Sequence, residues 1–368
     1  MGETKRGNPP MDICREGITG FRKLSKIGFG TYGSIYLAVH RLSTQRFALK
    51  KFKFSDSERD QIGLPRSAIR EIRILAELAG GCKNIVDCFG VLVSTGNDSN
   101  KQRGSIYMVL GFVEHDLVGL LELYKRRLTV PEIKSIAHQC LVAIDFCHLH
   151  GIVHRDLKCA NILINANGVV KLADFGLARE YATIAHMTSK VITLWYRPPE
   201  LLLGATRYGS EVDIWSMGAI IGELLLMKPL FSHDKEIQVL SLIVDELGPP
   251  SSQILPYYES LPYWKECSSI VINRSNNSLP PFKAECAISH SGSKNSWNLV
   301  SQMLHYDPQW RLSANAAMEH SFFTETPEMC DPSEIRVPKN GIFCHGLGMK
   351  EKRERDKDAT SESKRTKN

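Results

Sequence analysis

The 368-residue chain has no run of the roughly 18 or more apolar residues that a membrane-spanning helix needs. No charged-then-apolar leader opens it, and in Met1-Gly2-Glu3-Thr4-Lys5-Arg6 an arginine stands where a myristoylation signal wants Ser or Thr. Neither membrane insertion nor a lipid anchor is expected. The ten cysteines form no C-x-x-C pair, a spacing that argues against a structural zinc site and fits reduced thiols of the cytosol or nucleus. Cys140, Cys147, His148, His150 and His154 do crowd together, and helix-packing thiols beside ordinary histidines are the favoured reading. In a reducing compartment the sequon Asn97-Asp98-Ser99 carries no consequence. Concentrated charge is also lacking. The 46 basic and 40 acidic residues leave a net +6, and the only dense block is the C-terminal tail. Direct nucleic-acid binding by the folded part is therefore not indicated. A hydrophobic fraction of 43% and a charged fraction of 23% are ordinary for a globular protein.

Residues 1–20 are polar, contain Pro9-Pro10, and read as a flexible lead-in. From Phe21 to about Tyr107 the pattern is strand-rich with one helical stretch, and from about Asp116 to Phe323 it is mostly helical. Thr129-Val130-Pro131-Glu132 reads as a capping box with an early proline. Ile133, Ile136, Ala137, Cys140, Leu141 and Ile144 then line one helix face. Val212 to Leu226 is apolar nearly all round, as in a helix buried within a larger lobe. Val93 to Gly104, crowded with Gly, Asn, Asp and Ser, predicts a long loop between strands. Beyond Phe323, the prolines at 327, 332 and 338 and the charged run 350–368 predict a disordered tail over 324–368. No internal repeat is visible.

Chemistry enters with His154-Arg155-Asp156-Leu157-Lys158-Cys159-Ala160-Asn161, which matches the catalytic-loop pattern H-R-D-L-x-x-x-N of protein kinases. Phosphoryl transfer needs an acceptor for the substrate hydroxyl proton and an oxygen ligand for magnesium held nearby, roles that fit Asp156 and Asn161. Asp174-Phe175-Gly176 follows thirteen residues after Asn161, its aspartate placed to supply the second magnesium ligand. Gly28-Phe29-Gly30-Thr31-Tyr32-Gly33 is a G-x-G-x-x-G, weak alone because dinucleotide-binding folds share it. The β-prone Ser34-Ile35-Tyr36-Leu37 after it points to a strand–turn–strand, where glycines let backbone amides approach phosphates. Phe47-Ala48-Leu49-Lys50 fits the V-A-I-K strand, and Glu71 on the next helical stretch can pair with its lysine.

The stretch Pro65-Arg66-Ser67-Ala68-Ile69-Arg70-Glu71 closely resembles the cyclin-binding helix of cyclin-dependent kinases. So does Thr188-Ser189-Lys190-Val191-Ile192-Thr193-Leu194-Trp195-Tyr196-Arg197 within the activation segment 174–200. The resemblance covers residues 21–323 and implies an α+β, bilobal protein kinase fold, with a small β-rich lobe over about 21–111 and a helical lobe over about 112–323. It implies that Thr188 is phosphorylated by an activating kinase and held by Arg70, Arg155 and Arg179. It further implies ATP and Mg2+ as cofactors, with Asp156, Lys158, Lys50 and Glu71 catalytic and Asn161 and Asp174 on the metal. The nucleotide would lie against Ile27, Gly28, Phe29, Gly30, Thr31, Tyr32, Gly33, Ser34, Ile35, Ala48, Lys50, Phe112, Val113, Asp116 and Leu163. Glu200 of Arg197-Pro198-Pro199-Glu200 would pair with Arg311, and Asp213 would brace the catalytic loop from below.

Within that family the chain most resembles the transcription-elongation branch, typified by the catalytic subunit of positive transcription elongation factor b. The likeness lies in 103–109, in Glu114-His115-Asp116-Leu117, in Trp195–Glu200 and in His320-Ser321-Phe322-Phe323. This implies a cyclin T-like or other transcriptional cyclin as partner, substrates with Ser-Pro or Thr-Pro sites, the RNA polymerase II C-terminal repeat among them, and a nuclear or also cytoplasmic location. A partner is expected to swing Glu71 toward Lys50. Lys352-Arg353 and Lys364-Arg365-Thr366-Lys367 have a spacing suited to bipartite nuclear import. A cell-cycle or splicing-linked kinase and a non-catalytic scaffold remain the alternatives. Departures are Leu110 where phenylalanine usually backs the adenine pocket, Arg66 in the helix, a segment between Lys50 and Glu71 about three residues longer than usual, and Thr31-Tyr32, which resembles the inhibitory pair of the cell-cycle branch and makes Tyr32 a regulatory candidate. Residues 263–297 match nothing recognisable.

Overall fold

The computed structural model describes residues 13–30, 33–52, 65–94, 105–124, 128–181, 187–272, 293–338 and 343–345. Thr31, Tyr32, the lead-in up to residue 12, residues 95–104 of the predicted loop, the lengthened segment 53–64 and the basic clusters beyond 350 lie outside them.

Five antiparallel strands form the small lobe in the order β1 (Phe21–Gly30), β2 (Gly33–His40), β3 (Arg46–Phe52), β5 (Ile106–Gly111) and β4 (Cys88–Val93). The central strand β3 is covered on both faces, so Phe47, Ala48, Leu49 and Lys50 are all buried in succession. Phe47 anchors a small outer core, its ring edge-on to Phe21 at 5.7 Å and to Phe89 at 5.3 Å. The pairing of β1 with β2 runs out to Gly30 opposite Gly33, so the glycine-rich motif is a strand–turn–strand as its sequence predicts. Gly33 cannot be replaced there: with φ at +155°, a Cβ would sit 1.8 Å from the Lys51 carbonyl oxygen. Helix α1 (Arg66–Glu77) turns Ala68, Glu71, Ile74 and Leu75 inward and leaves Ile69 51% exposed.

The large lobe begins with β6 (His115–Asp116), α2 (Leu117–Tyr124) and α3 (Val130–Leu149). Glu132 accepts the Thr129 N–H at 2.8 Å, capping α3 where the sequence places a cap. Short strands β7 (Ile152–Val153), β8 (Ile162–Ile164), β9 (Val170–Leu172) and β10 (Arg179–Glu180) carry the loops that hold the chemistry. The nearly all-apolar α5 (Glu211–Leu226), which follows α4 (Pro199–Leu202), is the buried axis of the lobe and packs against α3. Trp215 on α5 is fully buried, and the Arg311 guanidinium lies 4.9 Å above its ring. Residues 263–297, unplaced by sequence, contribute two helices among the described residues, Trp264–Ile272 and the start of Lys294–Met303.

The tail departs from expectation. Residues 325–338 and 343–345 are not an unstructured appendage but pack on the kinase domain. Glu132 of α3 takes Arg336 in a two-pronged ion pair at 2.6 and 2.5 Å, and Ile335 and Val337 are buried. Lys134, fully buried on the same helix, donates to the carbonyls of Glu325 and Pro327 at 2.6 Å each. Proline spacing is compatible with such an ordered extended path, and this segment supplies the carbonyls that buried Lys134 needs and the cation that pairs with buried Glu132.

Candidate active site

Lys50 on β3 and Glu71 on α1 meet in the buried interior of the small lobe. The Lys50 ammonium lies 2.7 and 2.9 Å from the two Glu71 carboxylate oxygens and 2.7 Å from Asp174 Oδ1. Burial alone would lower the proton affinity of Lys50, but the two carboxylates outweigh it and hold the ammonium above its ordinary range. Burial likewise opposes the charge on Asp174, and Lys50 still keeps that carboxyl below its usual value. The expectation that a partner must first swing Glu71 toward Lys50 is corrected: the ion pair is already closed in the single chain. The closure follows from packing, because α1 rests on the 3-10 turn Phe175–Leu177. Phe175 is fully buried, its ring 4.8 Å from that of His154.

Below lies the catalytic loop. Asp213, at the start of α5, accepts the backbone N–H groups of His154 and Arg155 at 2.7 and 2.9 Å and contacts His148 Nε2 at 3.0 Å. Burial alone would raise Asp213, but the His148 hydrogen bond and these backbone donors outweigh it and depress its pKa. The loop so braced holds Asp156 in a tight set of donors. Lys158 Nζ is 2.7 Å from Oδ2, Thr193 Oγ1 donates to Oδ1 at 2.8 Å, and the Asn161 amide nitrogen donates to the Asp156 carbonyl at 2.8 Å. With its nitrogen so committed, Asn161 offers its carbonyl oxygen, and Asp174 has a second carboxylate oxygen beyond the one taken by Lys50. Oxygen donors of this kind suit a hard divalent cation such as Mg2+.

Between the lobes opens a cleft of about 460 Å3. Of the sequence-predicted residues, Ile27, Gly28, Gly33, Ile35, Ala48, Lys50, Glu71, Phe112, Val113, Asp116, Lys158, Asn161, Leu163 and Asp174 line it. Ser34 sits in β2 opposite Phe29 and Lys51, away from the wall. Leu110 lines the cleft at the rear position. Thr193, Trp195, Tyr196 and His345 also line it. The first three fall within a motif the sequence reading quoted for other reasons, whereas no sequence signal marked His345.

The activation segment rises from this floor. Thr188 is exposed, and its carbonyl accepts the Tyr208 hydroxyl at 2.8 Å. That same hydroxyl takes a hydrogen bond from Arg155 Nη1 at 3.0 Å, so Tyr208 links the loop arginine to Thr188. Arg179, in β10 beside β7, also lies near Tyr208 and helps counter the effect of burial on its phenol. Arg179 Nε is buried with no hydrogen-bond partner among the described residues. Of the three predicted arginines, Arg155 and Arg179 thus converge on Tyr208. Arg70 lies on α1, and its neighbour Arg73 pairs with Glu180 of β10. Further on, Ile192 is forced into the left-handed region at φ +65°, and its carbonyl accepts from Arg197 Nε at 3.3 Å and Nη2 at 3.1 Å. Arg197 is held in turn by Glu236 at 2.5 Å. Glu200 and Arg311 form a fully buried pair at 2.8 and 2.7 Å. No three-residue His/Cys/Asp/Glu metal cluster occurs among the described residues, and none of their cysteines is bridged.

The profile of the family described as "Protein kinase domain" matches residues 21–323. Cyclin-dependent kinase C-1 of Arabidopsis thaliana is 36% identical over 364 residues, 96% of this chain and 69% of that protein. Cyclin-dependent kinase C-2 of Oryza sativa subsp. japonica is 40% identical, over 86% of this chain and 61% of that one. Probable cyclin-dependent kinase 10 of Dictyostelium discoideum is 39% identical over 84% of this chain and 80% of its own length. The chain thus spans about two thirds of the length of the plant relatives. Among solved structures, the CAK complex from Chaetomium thermophilum, bound to ATP-gamma-S, has a chain that matches with a TM-score of 0.72 at 32% identity, covering 86% of this chain and 94% of that one. With the Lys50–Glu71–Asp174 cluster and the braced Asp156 in place, these likenesses settle the family: the chain belongs to the cyclin-dependent kinases, ATP-dependent serine/threonine protein kinases.

Proposed function

We propose that this chain phosphorylates serine or threonine residues followed by proline, in complex with a transcriptional cyclin, with the RNA polymerase II C-terminal repeat as natural substrate. The observation that carries the substrate preference is the Ile192 carbonyl. A backbone turned left-handed and capped by Arg197 offers no acceptor to the N–H of the residue after the phospho-acceptor. Every residue but proline would bury that N–H unpaired, at a cost of about 1–3 kcal/mol.

In this reading Asp156, fixed by Lys158, Thr193 and Asn161, orients the substrate hydroxyl and accepts its proton. Lys50, itself fixed by Glu71, holds the nucleotide phosphates. Asn161 and Asp174 would hold Mg2+, which when bound neutralises charge on the transferring phosphoryl group. The intact set of Lys50, Glu71, Asp156, Asn161 and Asp174 favours catalysis over a scaffold role. Phosphate on Thr188 would bring about −1.5 to −2 charges to a loop already tied through Tyr208 to Arg155, with Arg179 beside it and Arg70 on α1. The exposed Ile69 on α1 offers an apolar contact for a cyclin. Since Glu71 already meets Lys50, the partner's part is to hold that closed arrangement. Plant cyclin-dependent kinases C as relatives support the cyclin-dependent part of this reading. Location in the nucleus, through the basic clusters of 352–367, belongs to the same proposal; residues 346–368 fused to a cytosolic reporter should concentrate it in nuclei, and an evenly spread reporter removes that part. The substrate reading is tested with an oriented peptide library on the chain co-purified with its cyclin. Enrichment of Ser-Pro and Thr-Pro is expected, and its absence overturns the reading.

A further inference from the structure

The loop 206–208 grips the activation segment at two successive residues. The Thr206 carbonyl accepts the N–H of buried Met187 at 2.7 Å, and the Tyr208 hydroxyl donates to the Thr188 carbonyl at 2.8 Å. Behind the phenol stands Arg155, held in the left-handed region at φ +63° with its backbone N–H on Asp213. Its Nε and Nη2 both donate to the Leu177 carbonyl, at 2.8 and 2.6 Å, which leaves Nη1 to donate to the Tyr208 hydroxyl at 3.0 Å. Burial raises the phenol above its ordinary pKa, and Arg155 and Arg179 oppose that only in part, so it remains an O–H donor at neutral pH. An O–H that accepts from a cation is polarised into a stronger donor, so its two hydrogen bonds reinforce each other.

Just beyond Thr188, Val191 is buried, the Ile192 carbonyl is held by Arg197, and Thr193 donates to Asp156 at 2.8 Å. A chain fixed at 187–188 and again at 191–193 keeps little freedom in between. We propose that Tyr208 is a positioning residue that does for the unphosphorylated chain what phosphate does later. Its hydroxyl couples Arg155 to Thr188 and so keeps the substrate-binding end of the segment, and through Thr193 the Asp156 carboxylate, in the working arrangement. The inference rests on the reading of Thr188 as the activating phosphosite. Phosphate then acts on a segment already in place. Beside Tyr208 it meets Arg179, whose buried Nε has no hydrogen-bond partner among the described residues, and there it makes ties of its own. The phenol's share is then small. Tyr208 therefore sets how much activity precedes phosphorylation, and with it the size of the step that phosphorylation adds.

Tyr208→Phe keeps the ring and removes one oxygen. Turnover of a Ser-Pro peptide is measured on the full chain with its co-purified cyclin, after phosphatase treatment and again after phosphorylation of Thr188. The unphosphorylated variant should be roughly three- to tenfold slower than unphosphorylated wild type, the scale of one hydrogen bond. Once phosphorylated, the two should agree within about twofold, less than one hydrogen bond, so the variant gains more from phosphorylation. Trypsin cleavage after exposed Lys190 gives a readout besides activity: it should be faster in the unphosphorylated variant and equal to wild type after phosphorylation. An equal loss in both states, as from a merely structural tyrosine, overturns the proposal. So does an unphosphorylated variant as fast as wild type, or faster, as expected of a phenol that withholds Arg155. Wild type indifferent to phosphorylation of Thr188 overturns the phosphosite reading itself, and the assignment of Tyr208 with it.

Discussion

Thr193 donates its hydroxyl to Asp156 Oδ1 at 2.8 Å, while Lys158 reaches both Asp156 at 2.7 Å and Thr193 at 3.1 Å. A residue from the substrate-binding end of the activation segment thereby sets the direction of the carboxylate in the catalytic loop. Asp156→Asn keeps the shape and removes the proton acceptor, so kcat should fall on the order of 10²-fold or more with the peptide KM little changed. Steady-state kinetics on the cyclin complex check this, and wild-type turnover contradicts it. Thr193→Val should also lower kcat by freeing Asp156 to rotate.

Phosphorylation of Thr188 should raise activity through the arginines around Tyr208. Thr188→Ala should give low activity that the activating kinase no longer increases, and Arg155→Ala or Arg70→Ala should leave whatever activity remains indifferent to phosphorylation. Activity measured before and after phosphatase treatment reads this directly. A full response in Arg70→Ala would remove that arginine from the cradle.

Arg197 is the residue on which proline selectivity turns. Arg197→Met releases the Ile192 carbonyl to accept a substrate N–H, so the ratio of kcat/KM for a Ser-Pro peptide over its Ser-Ala counterpart should fall roughly tenfold, the scale of one buried unpaired group. A ratio unchanged from wild type would place the selectivity elsewhere.

Asp213 gives the fold a pH dependence. Its folded pKa lies below the unfolded value of about 3.9, so the stability it contributes is complete above that value and is lost as pH falls through the folded one. Urea midpoints should therefore drop between pH 5 and 3 more steeply in wild type than in Asp213→Asn, and the variant should be the less stable protein at pH 7. Parallel pH curves for the two would mean that other groups carry the acid sensitivity.

The catalytic centre was legible in sequence because its chemistry is packed into short runs. His154 to Asn161 holds the proton acceptor and one magnesium ligand in eight residues, and Asp174 follows close behind. Pairings between runs, Lys50 with Glu71 and Glu200 with Arg311, were legible only through the family resemblance, since nothing local links residues 111 apart. Tyr208 was missed because a tyrosine in a loop has no pattern of its own; its role comes from lying between Arg155 and the Thr188 carbonyl. The tail was misjudged for a related reason. Its prolines and charges look like a disordered segment, and only the three-dimensional positions of Glu132, Lys134 and His115 provide partners that order it. The closed Lys50–Glu71 pair was misjudged because resemblance describes a partner's influence and not the packing of Phe175 beneath α1.

The buried Lys134 sets where this protein ends as a folding unit. Chain cut at residue 323, the limit of the kinase homology, would leave its ammonium without the Glu325 and Pro327 carbonyls and leave Glu132 without Arg336. Two buried charges deprived of these partners, together with the uncovered seats of Ile335 and Val337, would favour an insoluble or molten product. A minimal domain that folds must therefore extend at least through Val337.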